Sequence, residues 1–169
     1  MNAAQLINQT SGIVEYYTPP EIIAATRECM GNIDLDPASS IEANKRVDAN
    51  VYFTEVMDGL SMKWFGNVWL NHPFGRKLNG LWIKKLVGEY EAGNIIQSCN
   101  ITFAATSEQW FQPLLKRPQC FLCPRTNYLL PNGDVLPGVT KGSVVTYFGQ
   151  NHERFAKAFK HLGTLKIAL

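Results

Sequence analysis

In the stretch Asn67-Val68-Trp69-Leu70-Asn71-His72-Pro73-Phe74-Gly75-Arg76, an apolar run short enough to be one buried strand stops at Asn71, and a proline, an aromatic and a glycine follow at once. A backbone with that order must leave a sheet in a tight turn at the end of the strand. The turn presents chemistry: Asn71 offers an amide oxygen as acceptor, the peptide carbonyl of His72 a second one, Pro73 stiffens the bend and Phe74 supplies a flat face. Two acceptors aimed at the two hydrogens of a planar exocyclic amine leave the nitrogen lone pair less conjugated and more nucleophilic. An aromatic beside them suits a base taken out of its helix. An ordinary strand-to-turn junction has the same outline, so the rest of the chain has to decide.

With 169 residues, 46% of them hydrophobic, the chain can bury one sizeable core, and no Gly/Ser-rich or Pro-rich linker divides it. Residues 1–169 are expected to form a single domain, with 1–14, polar and aperiodic, as a flexible N-terminal segment. The formal net charge is +2, so a nucleic-acid surface would have to be a local patch. The N-terminus has neither a basic flank nor an apolar core, which points to a reducing cytosol for Cys29, Cys99, Cys120 and Cys123. Cys120 and Cys123 have the spacing of half a zinc site but no second pair, and read as core thiols, with a metal site a distant second. No apolar run approaches the roughly 20 residues of a membrane span.

Taken in order, Tyr17-Thr18-Pro19-Pro20-Glu21 predicts a helix start, with Thr18 as N-cap and Pro19 at the first helical position. Leu35-Asp36-Pro37-Ala38-Ser39 predicts a short strand whose end carries a carboxylate and free N–H groups, the place where open α/β sheets bind cofactors; a capping Asp at a β-to-α turn has the same pattern. Asp58-Gly59-Leu60 reads as a turn. Helices are expected over 80–90, 107–115 and 152–161, and strands over 95–104, 120–123 and 143–148. That alternation predicts a doubly wound α/β sheet. The segment from Pro124 to Gly142, rich in Pro, Gly and Asn and carrying Arg125, Asn127, Tyr128 and Lys141, is the best loop for touching DNA, or a solvated connection.

The series Tyr-Thr-Pro-Pro-Glu-Ile-Ile, Asp-Leu-Asp-Pro-Ala-Ser-Ser, Asp-Gly-Leu and Val-Trp-Leu-Asn-His-Pro-Phe-Gly-Arg, followed by Trp-Phe-Gln-Pro-Leu and Gly-Ser-Val, resembles the small phage-type DNA N6-adenine methyltransferases, and the similarity covers nearly the whole chain. Asn71 to Phe74 is similar to the family's Asn-Pro-Pro-Tyr/Phe motif, with His72 where the first proline is usual. The loop after Asp36 departs from the family in having no Gly-x-Gly.

The resemblance implies a compact, abbreviated Rossmann-like domain with a mostly parallel sheet, acting in the cytoplasm of a bacterial host on DNA, with S-adenosylmethionine as cofactor. It implies a catalytic turn of Asn71, His72, Pro73 and Phe74. It places the cofactor against Tyr17, Thr18, Pro19, Asp36, Pro37, Ala38, Ser39 and Asp58, with Asp36 on the ligand's amino group and Asp58 on its adenine. The ribose-binding acid is left between Asp48 and Glu55. DNA contacts are expected from Arg76 and Lys77 beside the turn and from Arg125 and Lys141. Methylation of cytosine N4, or a DNA-binding relative with weakened turnover, are the alternatives.

Overall fold

The computed structural model describes residues 16–136 and 139–167. In chain order these form α1 (Pro20–Met30), β1 (Leu35–Asp36), α2 (Ile41–Val47), β2 (Val51–Tyr52), a 3-10 turn (Glu55–Met57), β3 (Gly66–Leu70), α3 (Leu78–Glu91) and β4 (Ile95–Phe103). A second 3-10 turn (Gln109–Phe111) then runs into α4 (Gln112–Leu115), followed by β5 (Gln119–Leu122), β6 (Ser143–Phe148), α5 (His152–Phe159) and β7 (Gly163–Lys166). The chain is thus α/β and compatible with a Rossmann-like arrangement. The expectation of a flexible segment over 1–14 lies outside the described residues.

One sheet holds seven strands in the order β2-β1-β3-β4-β6-β5-β7. The pairs β2–β1, β1–β3 and β3–β4 are parallel, and β4–β6, β6–β5 and β5–β7 are antiparallel. The sheet is therefore mixed, which corrects the mostly parallel expectation. The reason lies between β5 and β6, where the described residues contain no helix. A parallel neighbour needs a crossover, usually helical, so a chain without one turns back beside the strand it has just left. The edge strand β7, which the sequence did not announce, pairs Cys120 with Leu165.

Side chains alternate between two cores, as period-two strands require. Trp69, Cys99, Ile101, Val145 and Tyr147 pack with α1 and α5, while Val68, Leu70, Val144 and Phe148 pack beneath α3 and residues 111–114. Cys120 is buried in the first of these cores but Cys123 is exposed, so only one of that pair is a core thiol. No described helix is long and apolar enough to cross a membrane.

The expected abbreviation lies between β2 and β3. Both strands border β1, yet residues 53–65 pass over its end without an α-helix. Thr54, Glu55 and Asp58 are thereby laid directly against the carboxyl end of β1. Gly59 makes the close approach possible, because a Cβ there would lie 1.9 Å from the Pro37 carbonyl oxygen, and its own carbonyl accepts the Trp64 indole N–H at 2.8 Å. Gly59→Ala is expected to destabilise the protein by about 1–3 kcal/mol through this overlap. Gly88→Ala, exposed in α3 with nothing within 4 Å of the new methyl, should instead stabilise by about 0.5–1 kcal/mol. Urea denaturation of the two variants checks both.

Candidate functional site

β1 and β3 are neighbours whose following helices leave to opposite faces: the buried Val47 of α2 joins the core of α1 and α5, and α3 covers the other side. Diverging connections open a crevice at the strands' carboxyl ends, where open α/β sheets bind ligands. A cavity of about 1250 Å³, counting its open mouth, occupies that position. Tyr17, Thr18, Asp36, Pro37, Ala38, Ser39, Asp58, Asn71, His72, Pro73 and Phe74 all line it. Residues far apart in sequence, chosen for their chemistry, thus share one wall system. Pro19 does not line it; Pro19 is the N-cap residue of α1, with Pro20 opening the helix.

Thr18 does not cap that helix, whose N-cap makes no side-chain hydrogen bond. Its hydroxyl is used elsewhere. Asn71 Nδ2 donates to Thr18 Oγ1 at 3.1 Å and to the Tyr16 carbonyl at 2.9 Å. With both amide hydrogens engaged, the amide plane is fixed and Oδ1 is left as an acceptor with no donor among the described residues. The His72 carbonyl likewise receives no hydrogen bond among them. The strand end beneath is held by Asn100, whose Nδ2 donates to the Leu70 carbonyl at 3.0 Å.

The His72 ring is buried and stacks on Trp82 at 6.2 Å between centroids, with its edge toward Phe74. Nε2 donates to Asn79 Oδ1 at 2.9 Å, and Nδ1 has no partner among the described residues. Burial lowers its pKa to about 4, against the opposing effect of the Asn79 bond. The imidazole is neutral at pH 7 and works as a brace between the turn and α3.

Asp36 is 2% exposed. Burial raises its pKa to about 7, opposed by hydrogen bonds from Ser39 and from the Ala38 N–H. The missing glycines after Asp36 have a physical explanation: none of residues 37–40 has positive φ. Ser39 N donates to the Phe53 carbonyl, and Ser40 caps α2 through the Ala43 N–H.

Phe74 is half-buried and sits 4.6 Å from Phe103 and 6.3 Å from Tyr16, with Tyr128 at its edge. Arg76, Lys77, Arg125 and Lys141 are all exposed, and Lys141 Nζ lies 5.6 Å from the Phe103 ring, on the Phe74 side of the cavity. Tyr128 is not available to DNA, since it is 1% exposed and hydrogen-bonded to Ser143 at 2.8 Å.

The structure separates the two candidate ribose acids. Glu55, just past β2, lines the cavity. Asp48 lies outside it, with its side chain 91% exposed and 3.9 Å from Arg27. Sequence reasoning missed Arg46, Trp69, Leu78 and Trp82, which also line the cavity. Of these, Leu78 and Trp82 had a signal, because they follow the turn at helical spacing. No protein-family model matches the chain, and no curated protein matches it.

Asp36 and His72 act oppositely on stability. Asp36 binds its proton more tightly folded than unfolded, so its contribution falls as pH rises from about 4 to about 7. His72 binds its proton less tightly folded, so its contribution rises over the window from about 4 to about 6.5. Asp36→Asn is therefore expected to be stabilising relative to the wild type at pH 8, and progressively less so toward pH 4. Thermal unfolding of both proteins across that range checks it; a constant difference would contradict the assignment.

Proposed function

We propose that this chain transfers a methyl group from S-adenosylmethionine to an exocyclic amine of a DNA base, adenine N6 in the first place. The observation that carries the reading is the fixed amide of Asn71, whose two donors are consumed by Tyr16 and Thr18 and whose acceptor is left unpaired among the described residues, in a cavity at the β1/β3 switch point.

The charge of the cavity favours the same ligand. Asp36, Glu55 and Asp58 line it together with one cationic side chain, Arg46, the other base, His72, being neutral. A nucleoside polyphosphate would bring its negative charge against three acidic side chains and would disfavour ionisation of the buried Asp36 further. A nucleoside carrying a sulfonium and an ammonium meets opposite charge instead. In this reading Asp36 holds the ammonium, Glu55 the ribose hydroxyls and Asp58 the adenine amino group, while Tyr17, Thr18 and residues 37–39 shape the remaining wall. When bound, S-adenosylmethionine supplies an electrophilic methyl.

The protein's part in the chemistry is positioning. Asn71 Oδ1 and the His72 carbonyl accept the two hydrogens of the target amine, which turns its lone pair outward, and both stabilise the positive charge that develops on nitrogen. Phe74, braced by Phe103, offers a face to the flipped base. The weakly basic amine needs no strong base before attack, and the strongly acidic methylated ammonium loses its extra proton to water afterwards. Accordingly the neutral His72, its Nε2–H committed to Asn79, is given no proton-transfer role. In this reading the exposed Arg76, Lys77 and Lys141, on the Phe74 side, would meet phosphates, together with Arg125 from the segment that carries Lys141.

Incubating the protein with methyl-labelled S-adenosylmethionine and mixed-sequence DNA, then digesting to nucleosides, tests the reading. Label is expected in N6-methyldeoxyadenosine. Label in N4-methyldeoxycytidine would redirect the assignment to the sister amine, and cofactor binding without transfer would leave a binding protein. Asn71→Ala should lower single-turnover transfer on the order of a hundredfold or more with cofactor affinity retained. Thr18→Val, which frees one amide hydrogen of Asn71 without touching the acceptor, should cost on the order of tenfold. A wild-type rate in folded Asn71→Ala would remove the turn from the active site.

A further inference from the structure

The acids of the cavity answer the positive charges of a sulfonium nucleoside, and one cation is left over. Arg46, in the last turn of α2, forms part of the cavity wall. Its guanidinium carbon lies 4.8 Å from the centroid of the Tyr17 ring, which lines the same cavity. Its hydrogen bonding within the described residues is a long contact from Nη1 to the Glu42 carbonyl, 3.4 Å. No carboxylate pairs with it among them, although its neighbours Arg27 and Lys45 do find partners, in Asp48 and Glu42. Trp69 also contributes to the cavity wall, and its buried indole N–H has no hydrogen-bond partner among the described residues.

A guanidinium is planar and presents a fork of N–H groups that matches a carboxylate bidentately, and the Tyr17 ring beneath this one restricts where that fork can swing. It is half-buried, so a charge-assisted bond there is less screened than one at the surface. The better phosphate contacts are the exposed Arg76, Lys77 and Arg125. We propose that Arg46 anchors the α-carboxylate of an amino-acid-bearing ligand, so that the cavity reads both ends of a zwitterion: ammonium at Asp36 and carboxylate at Arg46. The assignment rests on the methyl-donor reading above and adds to it a selection against donors that lack the carboxylate.

Two ligands that differ only in that group decide it: S-adenosylmethionine and its decarboxylated analogue, titrated calorimetrically into the wild type, Arg46→Gln and Arg46→Lys, with circular dichroism confirming the fold of each. The wild type is expected to prefer the carboxylated ligand by about tenfold or more. Arg46→Gln should lose that preference by weakening S-adenosylmethionine while leaving the analogue within about twofold, and Arg46→Lys should keep part of it. Equal loss for both ligands, or no loss for either, overturns the carboxylate assignment while the methyl-donor reading stands. The same holds if Arg46→Gln weakens DNA binding with S-adenosylmethionine affinity unchanged. A wild type that binds neither ligand overturns both.

Discussion

Everything at the candidate site depends on which way one side-chain amide faces. Asn71 could present either its NH₂ or its oxygen to the cavity, and the two orientations have opposite chemistry. The Tyr16 carbonyl and the Thr18 hydroxyl settle it by accepting both hydrogens. Turning the amide over would set its oxygen against a carbonyl and leave its donors without those partners, at a cost of the order of a buried unsatisfied group. The acceptors are themselves held: Tyr17, between them, pairs with Leu129 through reciprocal backbone hydrogen bonds at 2.9 Å. The long segment between β5 and β6, which is also what makes the sheet mixed, therefore reaches back to fix the entry to α1 and through it the amide.

A second dependence is electrostatic. The crevice gathers carboxylates at the end of a sheet, and the innermost, Asp36, is buried deeply enough to hold its proton to about pH 7. Near neutrality an empty site is spared part of the cost of a desolvated charge, and a cationic ligand would draw that proton off as it binds. His72 lies on the same wall with the opposite shift, neutral and committed to Asn79, so it braces the turn without adding positive charge beside a cationic ligand. The short passage over β1, made possible by Gly59, brings Glu55 and Asp58 to this wall without a further helix.

The sequence showed those parts of the fold whose residues are uniformly buried. Val68–Leu70, residues 98–102 and Ser143–Phe148 read as strands because both of their faces lie in a core. β7, a mixed-polarity edge strand, carries no such signal. The direction of β6 could not be read from its own residues, being decided by the lack of a crossover before it. Asn71 and Asp36 were legible as polar residues at strand ends and Asp58 as part of a turn, and the structure brings all three to one cavity. Thr18 was misread as a cap, since local rules cannot see a partner 53 positions away. Asp48 and Glu55 were indistinguishable until the left-handed turn after α2 carried one outward and the end of β2 carried the other in. Arg46, on a short charged helix, carries no signal in the sequence, and its contact with Tyr17 and its place in the cavity wall set it apart only in the structure.

The most direct measurement is a crystal structure of the protein with S-adenosylhomocysteine. The account expects the ligand in the crevice between β1 and β3, with its adenine toward Asp58, its ammonium on Asp36 and its sulfur facing the unpaired oxygen of Asn71. A ligand bound elsewhere, or one whose sulfur points away from Asn71 while the Tyr16 and Thr18 hydrogen bonds remain intact, would contradict it.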